Sequence, residues 1–491
     1  MNHRALLSPL RERLAEGRPV FTREQALDLT KRIMAMTAVE DATVSIKHTV
    51  RSVTKLAADQ IQDTDDGESL RLSIRAVNSG GLGFVSVNTN QLETSALREM
   101  VARADALVKG MIGSTERLRV QAPDEQDTYR PAHLWYDATI AAMRTVQDAV
   151  VPQIIDTARR QQLHASGFIG VMARAEAVLT VEGITAYSDE TDSEVDVTVR
   201  PADGTVSGWS GQAARDWTTL DPVRVATEAA DIAVRSVKPS AVEPGRRTAI
   251  LAPGAVVQLM RFLVPHFHGI YSDDGMTAFS KVPGARMGSR WEQRMFDPRL
   301  QITSDPADPE GGYIPWFGKG YANPAMTWID KGMLKNLAYG PIDALSIGKA
   351  YAELPFGFRL HGGATTLDQM IAQCEEGIYV HRVSSVDIVD MSSGMLTGVT
   401  RDGCFLVKKG KIDRPVKNFR FITSPFFFLN TLVTMGPTQR TAFGYAPPTR
   451  KEINTTSKDW PSDFFDWPRR PMIVPPLMVN DFNFSGLVDA V

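Results

Sequence analysis

A short segment containing two prolines and a glycine, VKPSAVEPGRR at residues 237–247, divides the sequence into two parts that differ in pattern. Before this segment, helical periodicity alternates with strand-like alternation. After it, short strand patterns, turns and aromatic residues predominate. The sequence therefore predicts an α+β fold with two domains. An α/β N-terminal domain is expected over residues 1–240, and a β-rich C-terminal domain with an extended C-terminal arm over residues 241–491.

Helical periodicity occurs in several places along the chain. Thr22 is suited to cap a helix that carries an apolar stripe at Ala26, Leu29 and Ile33. Two helices are expected within residues 1–40, and further helices over about 94–109, 137–162, 222–237 and Gly254–Val264. Strand alternation predicts strands in the stretches SLRLSIRAV, GFIGVMAR and EVDVTVRP.

Two segments between these elements, one glycine-rich and one acidic, can be considered as ligand-binding loops, and the sequence favours a turn for each. The segment Asn78–Gly83 joins two strands instead of opening a helix, so a turn is favoured over a phosphate site. The acidic run Asp189–Glu194 lacks the glycine and the terminal glutamate of a calcium-binding loop. For this run the sequence favours a solvated turn.

Composition argues against several classes of protein. The formal net charge is −3 and there is no basic stripe to match phosphates, which disfavours nucleic-acid binding. The two cysteines, Cys374 and Cys404, follow no Cys-x-x-Cys pattern, which argues against a disulfide framework and a cysteine-rich zinc site. No window approaches roughly 18 apolar residues, and the first residues lack the apolar run of a secretory signal. The sequence therefore predicts a cytoplasmic protein without a membrane span.

The segment GMLTGVTRDGCFLVKKGKIDRPVKNFRF, residues 394–421, predicts a hairpin. Asp402-Gly403 is interpreted as a turn dipeptide between apolar runs. Phe405 and Val407 alternate as in a strand, and Lys409–Lys411 then supplies the turn into a second strand. Pro415 suits an edge strand, because it cannot donate a ladder hydrogen bond.

This segment also resembles the hallmark G-x-(T/S)-R-D-G-x-F-x-I-x-x-G-x-I-x-x-P-V-K-N of the TldD/PmbA family, proteins once labelled modulators of DNA gyrase. Further resemblances occur in the same order as in the family, at residues 74–108, 242–260, 326–350 and 365–383. The resemblance implies the two-domain fold of that family. Arg401 and Asp402 match family positions and are expected to have a structural role.

In the catalytic half of the family, the resemblance implies a helix with His-Glu-x-x-x-His, here at about residues 255–275, and a zinc-binding cysteine near the C-terminus. Zinc catalysis needs about three protein ligands and an open position for water, and the glutamate accepts the proton of that water. If His268 is the second histidine, the first falls on Leu263 and the glutamate on Val264. If His266 or His268 is the first, Phe267 or Gly269 takes the glutamate position.

Two further departures weaken a zinc site in this chain. Pro265 interrupts the helix that would carry the ligands. Met435 stands at about the place of the cysteine, and a thioether is a poor zinc ligand. The residues expected to line the cavity at the lost site are His266, His268, Asp273 and Met435, with no metal bound by this chain.

The resemblance therefore implies a PmbA/TldE-type, non-catalytic subunit of a zinc metallopeptidase. Such a subunit would pair with a zinc-bearing TldD-type subunit, or with itself, and enclose a cavity in which an unfolded or leader peptide binds as an added β-strand. Two alternatives remain open. One is a self-sufficient metallopeptidase whose metal is bound by His266 and His268 with Asp273 or Asp274. The other is a peptide-binding protein without proteolytic activity.

Large aromatic residues near the C-terminus suit either a protomer interface or the core. They form the run Phe426–Leu429 and include Trp460 and Trp467.

Overall fold

The structure is a computed structural model that describes residues 9–39, 41–78, 81–88, 92–110, 129–349, 351–444 and 470–488. The α+β class is confirmed. In the N-terminal part, the helices are α1 (Leu10–Ala15), α2 (Arg23–Met34), α3 (Thr94–Gly110), α4 (Asp137–Ala142), α5 (Val151–Arg160) and α6 (Pro222–Arg235), with a π-helical turn at Val146–Val150 and a 3₁₀ turn at Trp217–Thr219. The helices predicted in this part are present, but the one expected over about 137–162 is divided into α4, the π-helical turn and α5.

Helix α2 begins with a capping box, in which two residues cap each other's backbone amides. The Thr22 hydroxyl accepts from the Gln25 amide at 3.3 Å, and the Gln25 side chain accepts from the Thr22 amide at 2.9 Å. This reciprocal capping satisfies two backbone donors that the helix itself cannot. The apolar stripe of α2 is buried as expected, with Leu29 and Ile33 packed in a cluster with Val44 and Leu72 of the adjacent sheet.

That sheet is antiparallel and its strand order is β3-β2-β1-β4-β5-β6. Its strands are β1 (Asp41–Ala57), β2 (Gln60–Asn78), β3 (Gly81–Asn88), β4 (His164–Thr180), β5 (Thr185–Arg200) and β6 (Gly208–Ala214). The glycine-rich segment predicted as a turn joins β2 to β3, and its residues 79–80 lie outside the described ranges. One face of the sheet is apolar and packs on the helices, for example through Val195 and Val197 against Ala229 of α6.

The other face of this sheet is charged. Its structure shows that the prediction for the acidic run was wrong. The acidic run Asp189–Glu194 lies within β5, and Glu190, Asp192 and Glu194 are buried, so the predicted solvated turn is wrong. Alternation along the strand places these three carboxylates on the same face. The C-terminal part of the chain covers that face, because Arg440 donates to Asp192 at 2.6 Å and the Phe443 amide donates to Glu194 at 3.1 Å.

Within the described residues of the C-terminal part, the strands form three sheets. Their strands are β7 (Gly245–Leu251), β8 (Ile302–Ser304), β9 (Trp316–Phe317), β10 (Tyr321–Ala322), β11 (Met326–Asp330), β12 (Met333–Leu334), β13 (Phe358–Leu360), β14 (Glu376–Asp390), β15 (Met395–Lys408), β16 (Lys411–Pro415), β17 (Phe419–Thr423), β18 (Leu432–Met435), β19 (Gln439–Arg440), β20 (Met472–Val474) and β21 (Leu477–Leu487). The largest of these sheets is closed. Its strands follow the order β14-β7-β21-β17-β15, and β15 also pairs with β14. Outside this ring, β16 pairs with β15 and β18 pairs with β21. A mixed sheet has the order β12-β11-β8-β13-β20-β19, and β9 pairs with β10.

One large apolar cluster joins the closed and mixed sheets to the helices of the C-terminal part, except the helix at residues 367–373, whose Met370 belongs to a separate cluster. These helices are α7 (Pro253–Met260), α8 (Gly269–Asp273), α9 (Pro341–Ile347), α10 (Leu367–Gln373) and α11 (Pro425–Phe428). The cluster includes Leu251, Leu360, Phe421 and Phe482. In the aromatic run predicted for an interface or the core, Phe428 and Leu429 are fully buried in this cluster and Phe427 is exposed. Trp460 and Trp467 lie outside the described residues.

The hairpin predicted within residues 394–421 is present as β15 and β16, and Pro415 ends a strand at the sheet edge. The predicted turn at Asp402-Gly403 is wrong. Both residues lie inside β15, where they oppose the single residue His381 of β14 in a bulge. Asp402 has φ +52° and Gly403 has φ +121°, so the extra residue is absorbed by left-handed backbone without breaking the strand.

The helix predicted over Gly254–Val264 is shorter than expected. The α-helical part ends at Met260 and continues as a 3₁₀ helix over Arg261–Phe267. Pro265 explains this change, because it has no amide hydrogen for the carbonyl of Arg261 and its ring would clash with that carbonyl in an α-helix. Among the described residues, no helix combines the length and the apolar character that crossing a bilayer requires.

Candidate functional site

The segment at which the resemblance places the zinc-binding helix runs from α7 through the 3₁₀ helix into α8. Leu263 and Val264, the positions of the motif's first histidine and glutamate in the His268 register, are both 0% exposed. They belong to the apolar cluster of the C-terminal part. A charged or metal-binding side chain at either position would lose its hydration without a polar partner nearby.

His266 is fully buried in an aromatic pocket. Its ring meets those of Phe279 and Phe426 edge-on, with centroids 6.4 and 5.1 Å away. Its Nδ1 accepts from the Ala278 amide at 3.2 Å, and within the described residues its Nε2 has no hydrogen-bond partner. Burial lowers the pKa of His266 to about 4, with Asp390 acting weakly in the opposite direction. The ring is therefore neutral at physiological pH and packs as an aromatic core residue.

His268 caps the short helix α8. Its Nδ1 accepts from the Tyr271 amide at 3.4 Å, and its ring stacks on that of Tyr271 at a centroid distance of 3.9 Å. Burial lowers the pKa of this half-buried imidazole. Of the two histidines, His268 is the one that reaches the surface, next to the exposed ring of Tyr271.

Asp273 holds the loop that follows it through hydrogen bonds. Its carboxylate accepts from the Tyr339 hydroxyl at 2.7 Å and from the Ser289 amide at 2.8 Å. Burial and the neighbouring Asp273 raise the pKa of Tyr339, and the Lys349 ammonium donates to the same hydroxyl at 3.3 Å. Each carboxylate oxygen of Asp273 therefore already accepts a hydrogen bond, so the side chain has a structural role.

Met435 lies on a separate strand. It ends β18, where it opposes Leu477 of β21, and its carbonyl accepts from the Thr365 amide at 3.4 Å. Its side chain is buried in the large apolar cluster. Of the four predicted cavity residues, the structure thus places three on one continuous segment and Met435 on another element.

These residues do not fit a catalytic zinc. Within the described ranges, no group of three or more histidine, cysteine, aspartate or glutamate side chains is arranged to hold a metal ion. A catalytic zinc site needs about three such ligands. Cys404 does not supply one here, because it is buried in β15 and burial raises the pKa of its thiol to about 12.

Comparison with known proteins agrees with the architecture. The model of the PmbA/TldA metallopeptidase C-terminal domain matches residues 244–486, which contain the closed sheet, the mixed sheet and the segment described above. The chain belongs to the TldD/PmbA family. No curated protein gave a significant match.

Solved structures with this fold cover nearly the whole chain. A proposed modulator of DNA gyrase from Thermotoga maritima is 14% identical, with a TM-score of 0.76 over 93% of this chain and 99% of that one. Another from Bacteroides thetaiotaomicron is 18% identical, with a TM-score of 0.74 over 95% and 100%. TldE from Thermococcus kodakarensis is 14% identical, with a TM-score of 0.77 over 94% and 99%. At these identities the likeness shows the fold.

The hallmark segment of the TldD/PmbA family forms a joint between the two parts of this chain. Residues 402–404 and 416–418 of this segment line a cavity of about 210 Å³ together with residues 205–207, which lie between β5 and β6. The Asp402 carboxylate accepts from Arg382 at 2.9 Å and from the Ser207 hydroxyl. Arg382 also lies over the ring of Trp209 at 4.6 Å. Asp402 therefore has the structural role expected of it.

Sequence reasoning missed the charged face between the two parts of this TldD/PmbA protein. Arg215 donates to Glu190 at 2.9 Å and to the carbonyl of Gly312, which lies 97 residues further along the chain, and so connects β5 to a loop of the C-terminal part. Arg174 shares Glu190 at 3.5 Å. The available signal was the alternation of carboxylates with hydroxyl residues in Asp189–Glu194, which is the period of a strand.

Proposed function

We propose that this chain is the non-catalytic, PmbA/TldE-like subunit of a TldD/PmbA zinc metallopeptidase. The observation that carries the proposal is the burial of Leu263 and Val264 in the apolar core. In the register with His268 as the second histidine, the resemblance implies the first histidine and the glutamate of the motif at these two positions. Hydrolysis at zinc requires ligands and a proton acceptor in one place. This chain offers apolar side chains there instead.

The histidines that are present support the same proposal. His266 uses Nδ1 on a backbone amide and is enclosed by aromatic rings, and His268 uses Nδ1 to cap α8. The nearest acidic candidate, Asp273, already accepts two hydrogen bonds. Recruiting these groups to a metal would disrupt the contacts that hold the segment together. Zinc is therefore expected in a TldD-type partner subunit, with a dimer as the working assembly.

The substrate we propose is an unfolded or leader peptide, handled in the cytoplasm. A peptide bound as an added strand is recognised mainly by its backbone, so many sequences are accepted. The order of the N-terminal sheet leaves β3 and β6 at its edges, and the closed sheet carries β16 as an appended edge strand. These edges offer backbone groups to such a strand.

The proposal is tested by purifying the chain alone and together with a TldD-type protein that has an intact His-Glu-x-x-x-His motif. Zinc is measured by mass spectrometry, and cleavage is followed with an unfolded peptide. The chain alone is expected to contain almost no zinc and to be inactive, whereas the pair cleaves. The double variant His266→Phe/His268→Asn removes both imidazoles but keeps an aromatic ring in the core and an N-cap side chain on α8. It should leave the zinc content and activity of the pair unchanged, while the motif Glu→Gln variant of the partner abolishes cleavage.

Two outcomes would overturn the proposal. Close to one zinc per single chain, lost together with peptidase activity in the double histidine variant, would establish a self-sufficient metallopeptidase. The alternative outcome is that the single chain binds peptide, no family partner co-purifies and no peptide is cleaved. The chain would then be a peptide-binding protein without proteolytic activity.

A further inference from the structure

Residues 9–21 form a segment that we call the N-terminal strap. It contains α1 and precedes α2. Val20 and Phe21 at its end are each 2% exposed, and they belong to the two apolar clusters that join the N-terminal sheet to its helices. Leu10 and Leu14 of α1 pack against one of these clusters. The strap therefore covers apolar surface of the N-terminal part.

A fully buried histidine, His48 of β1, binds the end of the strap. Its Nδ1 accepts from the Phe21 amide at 3.1 Å, and its Nε2 lies 2.7 Å from a carboxylate oxygen of Glu68 on β2. Since Nδ1 is the acceptor, the ring is neutral and its Nε2–H donates to Glu68. Arg13 of α1 donates to the same Glu68 oxygen at 2.6 Å. Both ring nitrogens of His48 are therefore used, and one of them holds the backbone of the strap.

The hydrogen bond to the strap requires a neutral imidazole. A proton on Nδ1 would place an N–H against the Phe21 N–H, so the charged ring cannot accept this hydrogen bond. Among the described residues, the charged side chains that act on the ring are Glu68 of β2 and Arg13 of α1. The β4 residue opposite His48 is the apolar Ala175.

The surroundings of His48 also determine the direction in which pH acts. Burial lowers the pKa of His48, Glu68 acts in the opposite direction, and Arg13 adds to the lowering. With the pKa lowered in the closed state, the contact is stable above the ordinary pKa of 6.5 and is lost as the pH falls below that value.

Two further contacts hold the strap independently of His48. The Tyr187 hydroxyl donates to the Phe21 carbonyl at 2.9 Å, and burial raises the pKa of Tyr187, so this donor keeps its proton. Arg18 pairs with Asp189 at 2.6 Å and lies over the ring of Trp135 at 4.3 Å. Neither contact involves an imidazole, so both support the closed strap without supplying a side chain of the type that titrates near pH 6.5.

We propose that the N-terminal strap is a pH-sensitive switch in which His48 is the sensor. The strap is closed while His48 is neutral and accepts from the Phe21 amide. When His48 binds a proton, this hydrogen bond is lost, the strap opens, and the apolar surface around Val20 and Phe21 becomes accessible. The inference concerns this chain alone, so it does not depend on zinc, a partner or a peptide substrate.

The test is hydrogen exchange of the full chain, followed by mass spectrometry at about pH 7.5 and about pH 5.5. Protection factors are compared, because they correct for the change of the intrinsic exchange rate with pH. Opening takes up one proton, and the open-state pKa is the ordinary 6.5. Protection of peptides within residues 10–21 should therefore fall by about three- to tenfold between the two pH values. Peptides from β4 should keep their protection, because the opening is local.

Three variants test the sensor. The amide oxygen of His48→Asn can accept from the Phe21 amide but does not titrate, so strap protection should be equal at both pH values. Tyr187→Phe removes the donor to the Phe21 carbonyl, and it should lower protection by a similar factor at both pH values. His164→Asn is the matched control, because His164 is about half exposed and bonds to Asp59. It should keep the wild-type pH dependence. Circular dichroism confirms that each variant folds.

Three results would each overturn the proposal. The first is equal protection of the strap at the two pH values in the wild-type chain, a comparison that needs no variant. The second is a wild-type pH dependence in folded His48→Asn. The third is a parallel loss of protection in β4, which would show that acid unfolds the N-terminal part as a whole.

Discussion

Replacing Asp402 by asparagine should break the electrostatic joint between the two parts of the chain without disturbing the backbone. The Asp402 side chain is 1% exposed and accepts from Arg382 and from Ser207. Its φ of +52° lies in the left-handed region, which asparagine adopts about as readily as aspartate. The substitution therefore changes the charge and leaves the shape and the bulge intact.

The expected loss of unfolding free energy depends on the contacts that Arg382 keeps in the variant. Removing one partner of a buried ion pair costs about 3–5 kcal/mol, because the other charge is left without a counterion. The asparagine oxygen can still accept one hydrogen bond, and Arg382 keeps the Gly444 carbonyl at 2.6 Å and the face of Trp209. We therefore expect a loss near the lower end of that range, about 3 kcal/mol of unfolding free energy.

Urea unfolding followed by circular dichroism and tryptophan fluorescence measures this loss. Asp413→Asn is the matched control, because Asp413 belongs to the adjacent hairpin strand and its pair with Arg414 is exposed. The control should change stability by no more than about 0.5 kcal/mol. A loss below about 1 kcal/mol for Asp402→Asn, similar to that of a surface pair, would refute the buried interdomain joint.

Two further predictions concern the segment over residues 255–275, at which the resemblance implies the zinc-binding helix. Since burial holds the pKa of His266 at about 4 in the folded protein against 6.5 in the unfolded chain, the stability it contributes is present above pH 6.5 and is lost as pH falls toward 4, by up to about 3 kcal/mol. His266→Phe should flatten that part of the stability profile between pH 4 and 7, and identical profiles would contradict the burial of this ring. The double variant Leu263→His/Val264→Glu restores the spacing of the zinc motif, but it should lose at least about 3 kcal/mol and gain no zinc by mass spectrometry. A stable, zinc-loaded variant would show that the segment can form the site after all.

Local signals predicted the features that depend on a few neighbouring residues. The Thr22 cap, the apolar stripe of α2 and the β15–β16 hairpin involve contacts close together in the chain, and they are visible as spacing. The effect of Pro265 on the helix that follows Pro253 is equally local, because the proline acts on a carbonyl four residues earlier. Resemblance over several ordered segments identified the family, which the match over residues 244–486 supports.

Two of the predictions that failed depended on what lies opposite a strand. A turn dipeptide and a bulge have the same preference for left-handed backbone, so Asp402-Gly403 could not be assigned until β14 was in place opposite it. The carboxylates of the acidic run would be solvated if β5 were uncovered. They are buried because Arg440, 248 residues from Asp192, supplies the opposite charge.

Sequence alone thus determined the N-terminal helices, the hairpin and the family, since each is a property of spacing or residue type. Only the tertiary structure decided which charges are buried and which strand residue forms the bulge. The physical reason is that ion pairing and burial depend on distances in space. Folding brings residues more than two hundred positions apart within 3 Å, and no local pattern contains that information.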